Sequence, residues 1–263
     1  MAAKRWVKLV LAAAALGLVI VWTAFTPAGL LGKADAVGYA VCHRIPARSY
    51  HLMERSLPLC ARCTGQFLGM LLGLVFQAAV GWKKGAFPGR TALFFVGGLV
   101  LFYLLDGVNS FLSVSATLHS YALYPPHNAL RLITGMGMGI ALSALLFPLG
   151  NQLLWAHPVM QPPLETIGHW AGLGAAGGLL TALITTEIPL LLYWLGLFST
   201  AGVLALLTLS YLLIAVILFQ RENTFTHSCE LTWWGMGGLT AALLQIAVLD
   251  GIRYLLTGTW AGF

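Results

Sequence analysis

Apolar residues run along this chain in long blocks, and the short segments between them hold nearly all of its charge. The first block follows Lys4, Arg5 and Lys8 and continues to about residue 26. Others cover about residues 64–81, 91–105, 129–148, 166–186 and 231–256. At 1.5 Å per residue, a helix of about 20 residues crosses a hydrocarbon core of about 30 Å. Residues 190–219 are apolar throughout, too long for one straight span. A half-helix and a full span are expected there, divided near Ser199-Thr200-Ala201-Gly202. The pattern predicts an all-α fold: a polytopic transmembrane helix bundle of about six or seven spans, one of them broken. It forms a single membrane domain over 1–263. Within it, 27–63 is a Cys/His/Arg-rich loop, 64–140 the spans that follow, and 141–263 additional spans.

Composition agrees. Hydrophobic residues make up 59% of the 263 and charged residues 8%, against about 25% charged in an ordinary soluble domain. So little charge cannot cover a water-facing exterior, and most of the surface must face lipid. The formal net charge of +6 is gathered in clusters between apolar blocks. The clusters read as topology signals and site residues, and no nucleic-acid partner is expected. The partner the composition does imply is the bilayer of the cell membrane; it leaves oligomeric state open.

The N-terminus resembles the n- and h-regions of a signal peptide, with a small-residue pair at Ala34 and Ala36. Its apolar run of nearly 20 residues exceeds the usual 7–15, so it is read as the first span. With the N-terminus in the cytoplasm, the Lys83–Arg90 turn and Arg221 share that side. The loop 27–62, the stretch 106–128 and Glu187 then lie outside. Lys33, Arg44, Arg48, Arg55 and Arg62 weigh against this by the positive-inside rule, unless they line a site. Gly65, Gly69 and Gly73, and again Gly135 and Gly139, recur at four-residue spacing, which lets helix backbones approach closely in lipid.

The chemistry concentrates in one segment. It reads Cys42-His43-Arg44-Ile45-Pro46-Ala47-Arg48-Ser49, then Cys60-Ala61-Arg62-Cys63-Thr64-Gly65. Three of the four cysteines fall within these 22 residues. A Cys-x-x-Cys pair can reach one tetrahedral ion or close a strained disulfide. This pair precedes a membrane helix whose N-terminal amides favour thiolate, and Arg62 acts in the same direction. Cys229 is expected across the membrane as a free thiol.

The same segment resembles a prokaryotic family of multi-pass membrane proteins whose shared domain has no assigned function. The family pattern is Cys-His-x-x-Pro-x-Arg-Ser followed by Cys-Ala-Arg-Cys-Thr-Gly opening a helix. It continues with Asp-Gly at the end of a later helix and Asn-x-x-Arg-x-x-Thr-Gly opening the next. Asp106-Gly107 and Asn128-Ala129-Leu130-Arg131-Leu132-Ile133-Thr134-Gly135 match these elements. The resemblance covers about residues 40–140, and it implies membership without a reaction.

Asp106 and Arg131 close one helix and open the next, and an ionisable group at that depth is costly unless paired. They are the candidate catalytic residues, or else a salt bridge stapling two helix ends. Arg44, Arg48, Arg62, Asn128 and Arg131 are the candidates for binding an anion.

Three functions remain open. The first is a zinc site held by Cys42, Cys60, Cys63 and a histidine. His43 is nearest in sequence, but adjacent side chains usually diverge, so His51, His119 and His127 are alternatives. The second is a thiol–disulfide oxidoreductase using Cys60 and Cys63, with Cys42 as shuttle and a quinone among the helices. The third is a transporter or binder of an anionic or lipid-phosphate ligand, suggested by the broken stretch 187–219. His157 and His169 lie elsewhere and are not expected to bind haem. Whether the protein is an enzyme is not set by its residues.

Overall fold

The computed structural model describes residues 2–115 and 117–260, with the side chains of 2–5, 7 and 8 left aside. Its helices are α1 (Ala2–Phe25), α2 (Gly29–Val41), α3 (Ala61–Gly81), α4 (Arg90–Leu112), α5 (Asn128–Leu154), α6 (Ile167–Thr185), α7 (Pro189–Leu218) and α8 (Thr232–Thr257). A two-stranded hairpin, β1 (His51–Leu52) and β2 (Arg55–Ser56), interrupts the segment before α3. The helices α3 to α8 are each long and apolar enough to cross a membrane. With α2, α1 makes a seventh candidate, bent by 102° at a short break.

That bend is the broken element, and the sequence pattern points elsewhere for it. Residues 190–219 form one unbroken helix, α7. The polar residues that suggested a division are satisfied within it: Ser199 donates to the Gly196 carbonyl at 2.8 Å and Thr200 to that of Leu197 at 2.8 Å. Gly202 is a contact point, because a Cβ there would lie 2.2 Å from the Phe67 carbonyl oxygen of α3. At about 45 Å for 30 residues, α7 outruns the hydrocarbon core and must tilt or project beyond it.

The true break falls at Thr26-Pro27-Ala28. Proline has no N–H to continue the helix. Lys33 reaches back to the Thr26 carbonyl and hydroxyl at 3.0 and 2.9 Å, capping the open end of α1. The 27–62 loop expected from the sequence therefore contains a helix. α2 is only 13 residues long and buries Gly32, Ala34, Asp35, Ala36, Val37, Gly38 and Tyr39. Its small side chains allow close packing against α7 and α8.

The central interface joins α3 to α5, and the glycine ladders make it. A Cβ on Gly135 would stand 2.1 Å from the Arg62 carbonyl oxygen, and one on Gly139 2.1 Å from that of Gln66. In the reverse direction, a Cβ on Gly65 would stand 2.2 Å from the Leu132 carbonyl oxygen. Each backbone thus occupies the space the other leaves, the arrangement by which helices associate in lipid through van der Waals contact. Leu68, Leu132, Met136, Ile140 and Ala144 are buried around it.

Two ends of the bundle follow. Trp22 meets Asp250, Tyr39 meets Thr257, and Asn128 meets Ala47. These contacts gather α2, residues 42–60, the start of α3 and α5, and the ends of α1, α4 and α8 at one face. Lys84 meets Glu165, and Lys83 donates to the Thr226 carbonyl at 2.9 Å. They mark the opposite face, where α8 begins beside Cys229.

Candidate functional site

Three cysteines converge where α2 ends and α3 begins. Cys42 directly follows α2 in extended backbone, its N–H held by the Gly38 carbonyl at 2.8 Å. Cys60 is the N-cap residue of α3 and Cys63 lies in its first turn. The three Sγ atoms all lie within 4.8 Å of one another. All are free thiols, with Cys42 and Cys60 buried and Cys63 half-buried. The Cys60 backbone N–H points at the Cys42 sulfur, 3.3 Å away. Hydrogen bonds from the Cys60 thiol, then the Cys63 thiol, hold Cys42 far below the usual thiol range. The same Cys42–Cys60 bond is the main cause that pushes Cys60 up to about 11.

A tetrahedral ion with metal–sulfur bonds of about 2.3 Å separates its sulfur ligands by about 3.8 Å. The three sulfurs, all within 4.8 Å of one another, lie close enough to converge on one such ion. Among the described residues, no histidine or carboxylate joins them as a further ligand. His43 is turned away from the role: its Nδ1 accepts the Ile45 N–H at 3.1 Å. His51 is engaged through Nε2 with the Ser56 hydroxyl at 3.2 Å. Burial lowers the His43 pKa, the charge of Cys42 opposes this, and Arg48, Arg62 and Arg131 add to the lowering. His43 therefore sits where the fields of the cysteine cluster and three arginines meet.

The arginines separate into two kinds. Arg62 sends its guanidinium to the Asp106 carboxylate, and also to the Ser110 hydroxyl at 2.9 Å. Asp106 is fully buried and also accepts from Tyr124 at 3.0 Å and Thr134 at 3.4 Å. Asn109 supports this by accepting the Leu123 N–H at 2.7 Å and donating to the Tyr124 carbonyl at 2.9 Å. The partner of Asp106 is thus Arg62, and the expected Asp106–Arg131 bridge is not made. Arg62 reaches Asp106 and Ser110 of α4 from the first turn of α3, while the Arg131 guanidinium bonds Asn128 instead.

Arg44 is also paired, with Asp35 at 2.9 Å, and donates to the Trp260 carbonyl at 3.1 Å. Its backbone lies in the left-handed region, φ 54°. Arg55 shares the same carboxylate.

Arg48 and Arg131 are different. The Arg48 backbone N–H donates to the Ile45 carbonyl at 3.0 Å, but its guanidinium has no hydrogen-bond or ion-pair partner among the described residues. Arg131 is buried, bonds to the Asn128 side-chain oxygen at 2.9 Å, and leaves its Nε without a partner. Asn128 joins the two. Its amide donates to the carbonyls of Ala47 at 3.2 Å and Ser49 at 3.5 Å, on either side of Arg48.

Sequence reasoning missed Asp35 and Arg253. Arg253 donates to the Cys42 carbonyl at 2.7 Å and stacks over the Tyr39 ring at 4.1 Å, fixing the end of α2. A charged residue near the end of an apolar block was the available signal for it.

Residues 42–145 match a family model described as "Predicted membrane protein (DUF2085)". The chain is 28% identical over 114 residues to an uncharacterised protein of Methanothermobacter thermautotrophicus, an alignment covering 43% of this chain and 91% of the relative. It is 24% identical over 120 residues to an uncharacterised protein of Methanocaldococcus jannaschii, covering 46% of this chain and 70% of that one. No solved structure gives a significant match. The resemblance read from the cysteine motifs thus leads to a membrane family of unassigned function, and the matched stretch holds all three clustered cysteines, Asp106 and Arg131.

Proposed function

We propose that this protein is a membrane metal protein in which Cys42, Cys60 and Cys63 hold one zinc ion, with a fourth position open to an exchangeable ligand. The convergence of three sulfurs within 4.8 Å carries the reading. A soft, compact thiolate set suits tetrahedral zinc. Zinc bound this way would supply Lewis acidity to whatever occupies its fourth position.

Residues around the sulfurs have supporting tasks in this reading. Arg253 and Gly38 fix the Cys42 backbone, while the Arg62–Asp106 pair fixes the first turn of α3 that bears Cys60 and Cys63. Asp106 has its hydrogen-bonding capacity engaged by Arg62, Tyr124 and Thr134, which favours an anchoring task over a reacting one.

The face carrying the site is the extracytoplasmic one, and the N-terminus is cytoplasmic. Lys83, Lys84, Arg90 and Arg221 gather at the other end. At the site face Arg44, Arg55 and Arg62 are ion-paired and Lys33 caps α1, so they count little as topology signals.

Thiol–disulfide exchange is less well supported. A relay needs a second cysteine pair on the same face, and Cys229 lies at the start of α8 on the other. The transporter reading loses the support it drew from a break in 187–219, because α7 is continuous; binding of an anionic group rests on the arginines instead.

Elemental analysis of the detergent-purified protein, beside a Cys60→Ser/Cys63→Ser variant, tests the proposal. About one zinc per chain, absent from the variant, is expected; equal metal in both would refute it.

A further inference from the structure

Beside the cysteines lies a cationic group that no carboxylate among the described residues neutralises. Arg131 is 7% exposed, and among the described residues its guanidinium finds only one neutral oxygen, that of Asn128. Its Nε is buried and unpartnered. A buried guanidinium without a counter-charge is costly, because desolvation is uncompensated. Arg48, tied to it through Asn128, adds a second positive charge.

The acids of this face are committed elsewhere. Asp35 serves Arg44 and Arg55, and Asp106 serves Arg62. Asp250 accepts from the Trp22 indole at 3.3 Å. Glu54 and Glu187 form no ion pair with either arginine. A zinc ion with three thiolates would carry one net negative charge. Set against Arg48, Arg62, Arg131 and Asp106, it leaves one positive charge over.

We infer that Arg131 and Arg48, aligned by Asn128, form a binding site for a single phosphate or carboxylate group, presented next to the cysteine cluster. The arrangement suits an oxyanion. Arginine offers a planar fork of N–H donors, which carboxylate and phosphate oxygens match in pairs. Asn128 engages one donor of Arg131, and the Nε donor has no partner among the described residues. Asn128 also ties the backbone on both sides of Arg48, through the Ala47 and Ser49 carbonyls, to the start of α5, so the loop that carries the second cation is fixed beside Arg131. The site stands on arginine and asparagine geometry and does not require the metal reading to hold.

The oxyanion could belong to a lipid headgroup or to a free small anion. The two share their chemistry, and the experiment separates them. Protein purified in neutral detergent is exposed to inorganic phosphate in one arm and to phosphatidylglycerol in the other, and native mass spectrometry counts the adducts retained. Wild type is compared with Arg48→Gln, Arg131→Gln and a charge-matched control, Arg55→Gln. The expected result is one adduct per chain, with retention weakened about tenfold or more in Arg48→Gln and Arg131→Gln and unchanged in Arg55→Gln.

Retention of phosphate alone identifies a free-anion site, and of phosphatidylglycerol a headgroup site; both support the inference when Arg48→Gln abolishes them. Equal retention by wild type and Arg48→Gln overturns it, as does equal weakening by Arg55→Gln. The Arg48 side chain has no partner among the described residues, so its variant decides the matter even if Arg131→Gln fails to fold. Zinc is measured on the same samples, so loss of the metal reading is seen separately from loss of the anion site.

Discussion

Arg62 stands between the two cysteines of the Cys-x-x-Cys turn and pairs with Asp106, which lies at the far end of α4 and is wholly buried. Through this contact the geometry of the first turn of α3 depends on a carboxylate 44 residues away. Removing one member of a buried pair leaves the other charged and unpaired, which costs about 3–5 kcal/mol.

Asp106→Asn and Arg62→Gln should therefore each lower the thermal midpoint of the purified protein strongly. The double variant should lose much less than the sum of the two, because no uncompensated charge remains. Additive losses would mean that the two side chains act independently.

A second prediction concerns the α3–α5 interface. Gly135→Ala places a Cβ against the Arg62 carbonyl, 2.1 Å away, with backbone that cannot yield. Overpacking of this kind costs about 1–3 kcal/mol or more, and here it also displaces the cysteine turn. Gly97→Ala on α4 meets nothing within 4 Å and should be neutral or slightly stabilising, by up to about 1 kcal/mol. Thermal melts of both variants in one detergent check the contrast.

Sequence legibility was uneven, and the reasons are physical. Spans were visible because nothing but a bilayer explains such apolar blocks, and the glycine spacing marked the packing faces of α3 and α5 without pairing them. The site of the break was not visible. Ser199 and Thr200 look like helix breakers, but inside an apolar helix their hydroxyls return to carbonyls one turn back. Equally, α2 was hidden because Lys33 and Asp35 make it too polar for a span. It can be buried only because Arg44 and Arg55 neutralise Asp35 and Lys33 caps α1. The cysteine cluster was legible from spacing alone. The choice between Arg62 and Arg131 as partner of Asp106 depended on helix rotation, which the sequence does not state.

His43 gives a third prediction. Its Nδ1 is occupied by the Ile45 N–H, and it stands outside the group of converging sulfurs. His43→Ala should keep its bound zinc, whereas Cys42→Ser should lose most of it. Elemental analysis of the two variants distinguishes them, and loss of zinc from His43→Ala would make that histidine a ligand.

Orientation yields the fourth. A cysteine introduced at the exposed hairpin position Glu54, in a background lacking Cys229, should react with a membrane-impermeant maleimide in intact cells. Exposed Cys229 should react only after permeabilisation. The reverse pattern would place the cysteine cluster on the cytoplasmic side.

The central claim is three sulfur ligands and one exchangeable position on a single zinc, and X-ray absorption at the zinc edge of the purified protein tests it most directly. The account predicts three sulfur neighbours at about 2.3 Å and one lighter neighbour at about 2.0–2.2 Å, the lighter one replaced when a competing small anion or thiol is added. Protein that binds no zinc, or zinc with no sulfur shell, would contradict it.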